Sequence, residues 1–415
     1  MSHFAVIAPP LFSHFRALES LAQALLARGH RVTFFQRPEA RSLLTDPRIG
    51  FVAVGEAASG TGLFSRVSGV GLLRLIDALA ANTDMLCRLL PAALAQAGVD
   101  GVIADQMEAA GGLVAEGMGL GFVSVACALP VNREAGIPLP VMPFGYATDE
   151  KSLKLYASST DVYDWLMRRQ RQVIARHAAA FGLSPRDGLH QCLSPLAQIG
   201  QTITGFDFPR ALPDCFHAVG PLRGSIAETV SSAENDKPLI FASLGTLQGH
   251  RYSLFRTIVR PSRRVGARLL IAHCGGLSAR QAASLNMPDV EIVDFTCQPT
   301  ALRQARIAIT HGGLNTVMDA IAAGTPLLTI PLGFDQPGVA ARVVYRGIGR
   351  RASRFSCSAA LSSHLDELLT NQRYAGRQRE LRQQLARAGG ASRAADIVVR
   401  ALNTRRPVIA EHYGS

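Results

Sequence analysis

The sequence predicts an α/β protein made of two parallel-sheet halves that face each other across a cleft. Three observations carry this reading. Strand-like and helix-like segments alternate from the first residues, a polar stretch interrupts them near the middle, and the same alternation then begins again. Length agrees, because 415 residues with 48% hydrophobic side chains hold enough apolar material for more than one core. The same composition excludes a disordered chain, a collagen and a small disulfide scaffold.

The elements follow in order. Phe4–Ala8 is apolar, but it is too short for a secretory leader and lacks the basic flank, so it reads as a first strand. A loop over Pro9–Ser13, a periodic helix over Phe15–Leu26, a stop at Gly29 and a strand over Arg31–Phe35 complete a βαβ opening. The pattern returns with a strand at Gly101–Ala104, a small-residue helix from Met107 to Met118 and a strand at Phe122–Ala126. Residues 224–236 are small, polar and aperiodic, as a linker is. Strands at Leu239–Ser243, Arg268–Ala272, Glu291–Val293, Ile307–Thr310 and Pro326–Ile330 follow, with helices over 252–264 and from 313. The tail over 373–403 reads as two Arg-rich amphipathic helices parted by Gly389-Gly390, suited to covering a sheet. The expected units are therefore residues 1–223, a linker at 224–236, residues 237–388, and a terminal helix and tail at 389–415. The uncharged stretches between Glu116 and Arg133 and between Asp319 and Asp335 both fall short of the roughly 20 residues that span a bilayer.

The net charge of +12 is unevenly placed. Residues 1–235 hold 19 Lys+Arg against 20 Asp+Glu, leaving 24 against 11 for the rest. A basic C-terminal half suits a phosphorylated small molecule, an anionic membrane face or simply a solvated surface. There is no zinc finger, RNA-binding aromatic signature or lysine-rich tail, so nucleic acid is not an expected partner. The seven cysteines are scattered and never in C-x-x-C spacing, which favours free thiols and a cytoplasmic setting.

Chemistry concentrates in Thr310-His-Gly-Gly-Leu-Asn-Thr-Val-Met-Asp319, where a strand turns into a helix. Gly312 and Gly313 allow close backbone approach, and the unpaired N–H groups of the new helix favour an anion. Asn315 and Thr316 add side-chain donors, and His311 stands at the strand end to meet a phosphate oxygen. Asp319, one turn on, can accept from vicinal hydroxyls such as those of a ribose. After the next strand, Asp335 and Gln336 form an acid and amide pair suited to sugar hydroxyls, or else a helix N-cap before Pro337.

The stretch His311–Gly349, with His-Gly-Gly, Asn-Thr, Gly324-Thr-Pro326, Asp335-Gln336 and Gly347-Ile-Gly349, resembles the donor signature of nucleotide-diphospho-sugar glycosyltransferases of the GT-B type. Further segments carry the resemblance over nearly the whole chain: Ala8–Leu18, Asp100–Glu108, Tyr163–Arg169, His217–Arg223 and Ala242–Arg251. They are similar to the inverting, carotenoid-modifying members of glycosyltransferase family 1. The resemblance implies two Rossmann-like domains, with C-terminal helices packing back toward the N-terminal one. It implies that His311, Gly312, Gly313, Asn315 and Thr316 hold the diphosphate, with Ser243, Gly245 and Thr246 reaching it from another strand end. Asp319 would hold the ribose, Asp335 and Gln336 the sugar, and Thr296 and Gln298 the uracil or ribose. Phe295 stands where many relatives place a Trp under the base, and Asp319 where Glu is commoner. His14 would be the catalytic base and Asp105 the acid that orients it.

The implied reaction moves glucose from UDP-glucose, used as substrate with no cofactor, to the hydroxyls of zeaxanthin, giving a mono- and then a di-β-glucoside. No Asp-x-Asp pair or His/Cys cluster suits a divalent ion, so no metal is expected. A lipophilic carotenoid acceptor would lie against the apolar stretches 61–90 and 136–146 of the N-terminal half, although residues 71–90 also read as a core helix. Because such an acceptor resides in a bilayer, peripheral contact with the inner membrane face is a further expectation. A sterol or polyketide acceptor, a UDP-sugar epimerase and a non-catalytic nucleotide-sugar binder are the competing readings.

Overall fold

The computed structural model describes residues 1–57, 72–223 and 236–410. Residues 61–71 of the expected acceptor wall and residues 224–235 of the expected linker lie outside the described residues.

The N-terminal domain runs β1 (His3–Ile7), α1 (Phe12–Leu26), β2 (Arg31–Gln36), β3 (Gly50–Ala53), α2 (Leu72–Ala97), β4 (Gly101–Asp105), α3 (Ala109–Gly117), β5 (Gly121–Ala126), α4 (Glu150–Leu166), α5 (Arg168–Ala180), β6 (Gln198–Gly200) and β7 (Phe216–Ala218). Its seven strands are all parallel, in the order β3-β2-β1-β4-β5-β6-β7. The C-terminal domain runs β8 (Leu239–Ser243), α6 (Tyr252–Arg264), β9 (Arg268–Ala272), α7 (Ala279–Leu285), β10 (Val290–Val293), α8 (Gln298–Gln304), β11 (Ile307–Thr310), α9 (Leu314–Ala323), β12 (Leu327–Thr329), α10 (Gln336–Tyr345), β13 (Gly349–Arg351), α11 (Ser358–Thr370), α12 (Arg373–Arg387) and α13 (Gly390–Thr404). Its sheet is parallel too, in the order β10-β9-β8-β11-β12-β13.

Strands such as His3–Ile7 and Gly101–Asp105 are buried along their whole length, as continuous apolar runs must be when helices cover both faces of a parallel sheet. In each sheet the strand order reverses between its first and fourth strands in sequence, β1/β4 and β8/β11. Ligands of open parallel sheets collect at this crevice, beyond the carboxyl ends of the strands.

Residues 72–90 fall within α2, whose Ile76, Leu86 and Leu90 are buried and which packs against α3 and α5, as the core-helix reading expects. The terminal helix α13 returns to the N-terminal domain. Its apolar face, including Ala394, Val398 and Leu402, joins the core of Phe4, Leu18 and Ile103. A side chain at Gly101 would stand 2.9 Å from Leu402, so glycine lets the helix settle onto the sheet.

The two domains also meet along α10. The Gly338 N–H donates to the Pro140 carbonyl at 3.1 Å, and a Cβ at 338 would lie only 2.2 Å from that oxygen. Farther along, Arg342 is fully buried, donates to Asp207 at 2.6 Å and lies 4.2 Å over the Phe208 ring. Tyr345 meets Phe208 and Tyr146 edge-on. Pro140 and Tyr146 of the 136–146 segment, expected to wall the acceptor, are thus engaged with α10.

Candidate active site

His14 lies in the first turn of α1, where the chain leaves β1, and Asp105 is the last residue of β4. Because β1 and β4 are neighbours, the two side chains meet at the switch point of the N-terminal sheet. His14 Nδ1 lies 2.6 Å from Asp105 Oδ2, and the side chains are 9% and 0% exposed. The other carboxylate oxygen accepts the Met107 N–H at 2.9 Å, which fixes its direction. Burial works against charging His14, but the Asp105 carboxylate and its hydrogen bond outweigh it, and Asp335 adds to them, so the imidazole pKa rises above its ordinary value. Nδ1 is committed to Asp105, which leaves Nε2 as the nitrogen able to exchange a proton with a ligand.

Cys127 completes a buried trio with His14 and Asp105, their donor atoms lying within 4.8 Å of one another. Burial and the neighbouring carboxylate push its thiol well above the ordinary value, so it stays protonated beside Asp105.

Across the cleft, β11 ends at Thr310 and α9 begins at Leu314 with Gly313 as N-cap, no capping side chain and no acid in its first turn. Its first N–H groups are thereby open to an anion. The His311 ring lies between two glycines. A Cβ at Gly245 would stand 2.7 Å from the ring, and so would one at Gly313. Glycine at both positions therefore makes room for the ring. Burial lowers the His311 pKa to about 4, with a hydrogen bond to the Ser243 carbonyl pulling the other way, so the ring is neutral at neutral pH. Gly312 takes a φ of +87°, and its N–H donates to Thr310 Oγ1. Ser243 is buried at the end of β8, and Thr246 is exposed on the loop beyond it. Asn315, on the first turn of α9, is half-buried.

Asp319, Gln298 and Thr316 form one network. Gln298 donates to Asp319 at 2.7 Å and accepts from Thr316 at 3.3 Å. Arg223 reaches in from the end of the N-terminal domain and pairs with the other oxygen of Asp319. Burial lowers the Arg223 pKa to about 10. Phe295 and Thr296 lie on the exposed loop between β10 and α8, and Phe295 is 70% exposed with its ring beside Gly275. An exposed aromatic face on such a loop is one that a nucleobase can cover.

Asp335 occupies the N-cap position of α10, but its side chain makes no cap. It reaches across the cleft instead, accepting the Leu129 N–H at 3.1 Å. Burial raises its carboxyl above the ordinary value, and the Leu129 N–H and His14 offset only part of this. Gln336 Oε1 accepts from the Leu332 and Gly333 N–H groups, which leaves its amino group for a ligand.

The sixteen sequence-derived residues thus fall on the facing carboxyl ends of the two sheets. Arg223, Cys127, Leu129 and Gln106 were not among them. Gln106 holds the 127–131 connection in place, donating to the Leu129 carbonyl and accepting the Val131 N–H. Its signal was its place in the strand-end motif beside Asp105. Arg223 carried only the resemblance of its segment, and Leu129 acts through its backbone.

Residues 267–397 match the model of the glycosyltransferase family 28 C-terminal domain. The chain is 54% identical to a zeaxanthin glucosyltransferase of Pantoea ananas, covering 99% of this chain and 98% of that one. It is 50% identical to a zeaxanthin glucosyltransferase of Pseudescherichia vulneris, covering 97% and 98%. The solved structure of the kitacinnamycin glycotransferase superposes with a TM-score of 0.78 at 21% identity, over 97% of this chain and 99% of that one. Fold, paired strand-end sites and full-length similarity converge: the chain belongs to the family of GT-B glycosyltransferases that contains these bacterial zeaxanthin glucosyltransferases.

Proposed function

We propose that the protein transfers glucose from UDP-glucose to the hydroxyls of zeaxanthin by a single inverting displacement, with His14 as general base. The observation that carries the mechanism is the buried His14–Asp105 pair, set against the open N-terminus of α9 and His311. His14 Nε2 takes the acceptor's hydroxyl proton as that oxygen attacks the anomeric carbon from the face opposite the diphosphate. Asp105 stabilises the imidazolium that forms. The α9 N–H groups, Thr246 and His311 stabilise the charge growing on the departing UDP. These groups are already in place, so transfer is expected to proceed in EDTA.

Phe295 stacks on the uracil, Asp319 takes the ribose hydroxyls as Arg223 gives way, and Asp335 and the Gln336 amino group bind the glucose. The Leu129–Asp335 hydrogen bond brings this sugar-binding acid beside His14. Zeaxanthin carries one hydroxyl at each end, so two transfers lead to the diglucoside.

Incubation with UDP-glucose, zeaxanthin in detergent micelles and EDTA, followed by chromatography and mass spectrometry, tests the reading. A monoglucoside followed by a diglucoside is the expected result. An isomerised UDP-sugar without acceptor would make the protein an epimerase. Bound UDP-glucose beside untouched zeaxanthin would move the acceptor to another lipophilic alcohol such as a sterol or polyketide.

A further inference from the structure

Helix α4 is built the wrong way round for a helix of a water-exposed surface. Tyr156 is its one buried side chain, while Leu155, Val162 and Trp165 are 48%, 56% and 61% exposed. At 100° per residue these three fall on one outward stripe with Ser158 between them. Basic residues stand at both ends of the stripe. Lys151 and Lys154 lie at the start, Lys154 paired with Glu150 at 2.7 Å, and at the far end Arg168 lies 4.8 Å over the Trp165 ring. The helix is held from behind by the Arg133–Asp164 pair and by its contacts with α5, which leaves the stripe outward. It also continues the 127–149 connection that passes the dyad at Leu129.

We propose that α4 docks on an anionic lipid bilayer, with Leu155, Val162 and Trp165 entering the headgroup boundary, Lys151 and Arg168 meeting lipid phosphates, and Lys154 exchanging Glu150 for a phosphate. An interfacial helix has this composition: apolar and aromatic side chains on one face, with cations beside them. A second copy of the chain fits less well. The three side chains expose on the order of 300 Å², and pairing two such stripes stays well below the roughly 1,200 Å² of a stable interface. No helix among the described residues is long and apolar enough to cross a membrane, so the contact is peripheral. Docking would set the N-terminal wall of the cleft at the surface where a bilayer-resident acceptor lies. This consequence for acceptor delivery rests on the zeaxanthin reading, but the docking itself does not.

Trp165 is the chain's single tryptophan, so its fluorescence reports this site alone. The test titrates the full chain with acceptor-free vesicles of equal parts phosphatidylcholine and phosphatidylglycerol. The Trp165 emission is expected to shift to shorter wavelength, and the protein to sediment with the vesicles. Val162→Asp and Leu155→Gln, both at exposed positions, should each weaken vesicle binding, the first about tenfold, with UDP affinity unchanged. Transfer in detergent micelles should also be unchanged for both variants, while transfer to acceptor held in vesicles slows. An unshifted emission with protein left in the supernatant overturns the proposal. So does a dimer in solution that Val162→Asp splits. Failure of zeaxanthin as acceptor would leave the vesicle result standing, so the two readings fail separately.

Discussion

Replacing Asp105 by Asn tests the dyad with the least change of shape. The substitution keeps the volume and can still accept a hydrogen bond, but it removes the charge that faces His14 at 2.6 Å. With the charges about 4 Å apart at an effective dielectric of about 20, that charge stabilises the imidazolium by about 4 kcal/mol. The plateau of kcat/KM should therefore fall about 10³-fold, inside the span of about 10² to 10⁴ for positioned acid-base catalysis. The pH profile should change as well. His14 is held above its ordinary pKa by Asp105 against the opposing effect of burial. The base must be neutral to act, so activity in the unsubstituted protein is lost as pH falls through this raised value. In Asp105→Asn burial is left largely unopposed, and the acid limb moves to lower pH while the plateau drops. The assay is UDP release at sub-saturating acceptor in micelles from pH 5 to 9, which reads kcat/KM, with UDP affinity as the control for folding. An unchanged plateau, or an acid limb that moves to higher pH, would refute the reasoning.

Other consequences concern the donor side. Gly313→Ala sets a Cβ 2.7 Å from the His311 ring and should weaken UDP binding at least about tenfold by calorimetry, roughly the 1.4 kcal/mol of one displaced hydrogen bond; unchanged affinity would remove His311 from the site. His311 is held near pKa 4, so a diphosphate beside it should draw in a proton. Calorimetry in buffers of different ionisation enthalpy at pH 7 should show net uptake on UDP binding that His311→Gln abolishes, and UDP affinity rising as pH falls. The same depressed value means that the unfolded chain takes up this proton first, so the stability of the ligand-free protein declines as pH falls from about 6.5 toward 4. Phe295→Ala should cost about 1–3 kcal/mol of UDP affinity through lost stacking while leaving the melting temperature unchanged, because the ring is 70% exposed. Gly338→Ala drives a Cβ into the Pro140 carbonyl and should lower kcat far more than it lowers UDP affinity, because it parts Asp335 from the His14 side of the cleft.

Much of the fold was legible because buried, continuously apolar strands announce themselves. Phe4–Ala8, Gly101–Ala104 and Ile307–Thr310 fell within one residue of their observed bounds. The small-residue helix begins later than read, at Ala109, because Glu108 acts as its N-cap and accepts the Ala110 N–H. The strands β3, β6, β7 and β13 were missed, since Gly50–Ala53 is not fully buried and Gln198–Gly200, Phe216–Ala218 and Gly349–Arg351 break their three positions with polar residues, so none is a buried apolar run. For the site, residues at strand ends were legible because backbone geometry places them there whatever the rest of the chain does. Contacts made across the domain junction were not. Arg223 on Asp319, Leu129 on Asp335 and Arg342 on Asp207 join residues far apart in sequence, and no local pattern marks them. The Arg-rich tail advertised an amphipathic helix. That α13 covers the N-terminal sheet follows from Gly101 making room for Leu402, a fit between residues 301 positions apart.

Single-turnover transfer from UDP-glucose to zeaxanthin, comparing the unsubstituted protein with His14→Ala, tests the central claim most directly. The expected result is a β-glucoside from the unsubstituted protein and a rate about 10³-fold lower or less from His14→Ala, with UDP-glucose affinity the same for both. Transfer by His14→Ala at an undiminished rate, or an α-glucoside from the unsubstituted protein, would contradict a single displacement driven by this base.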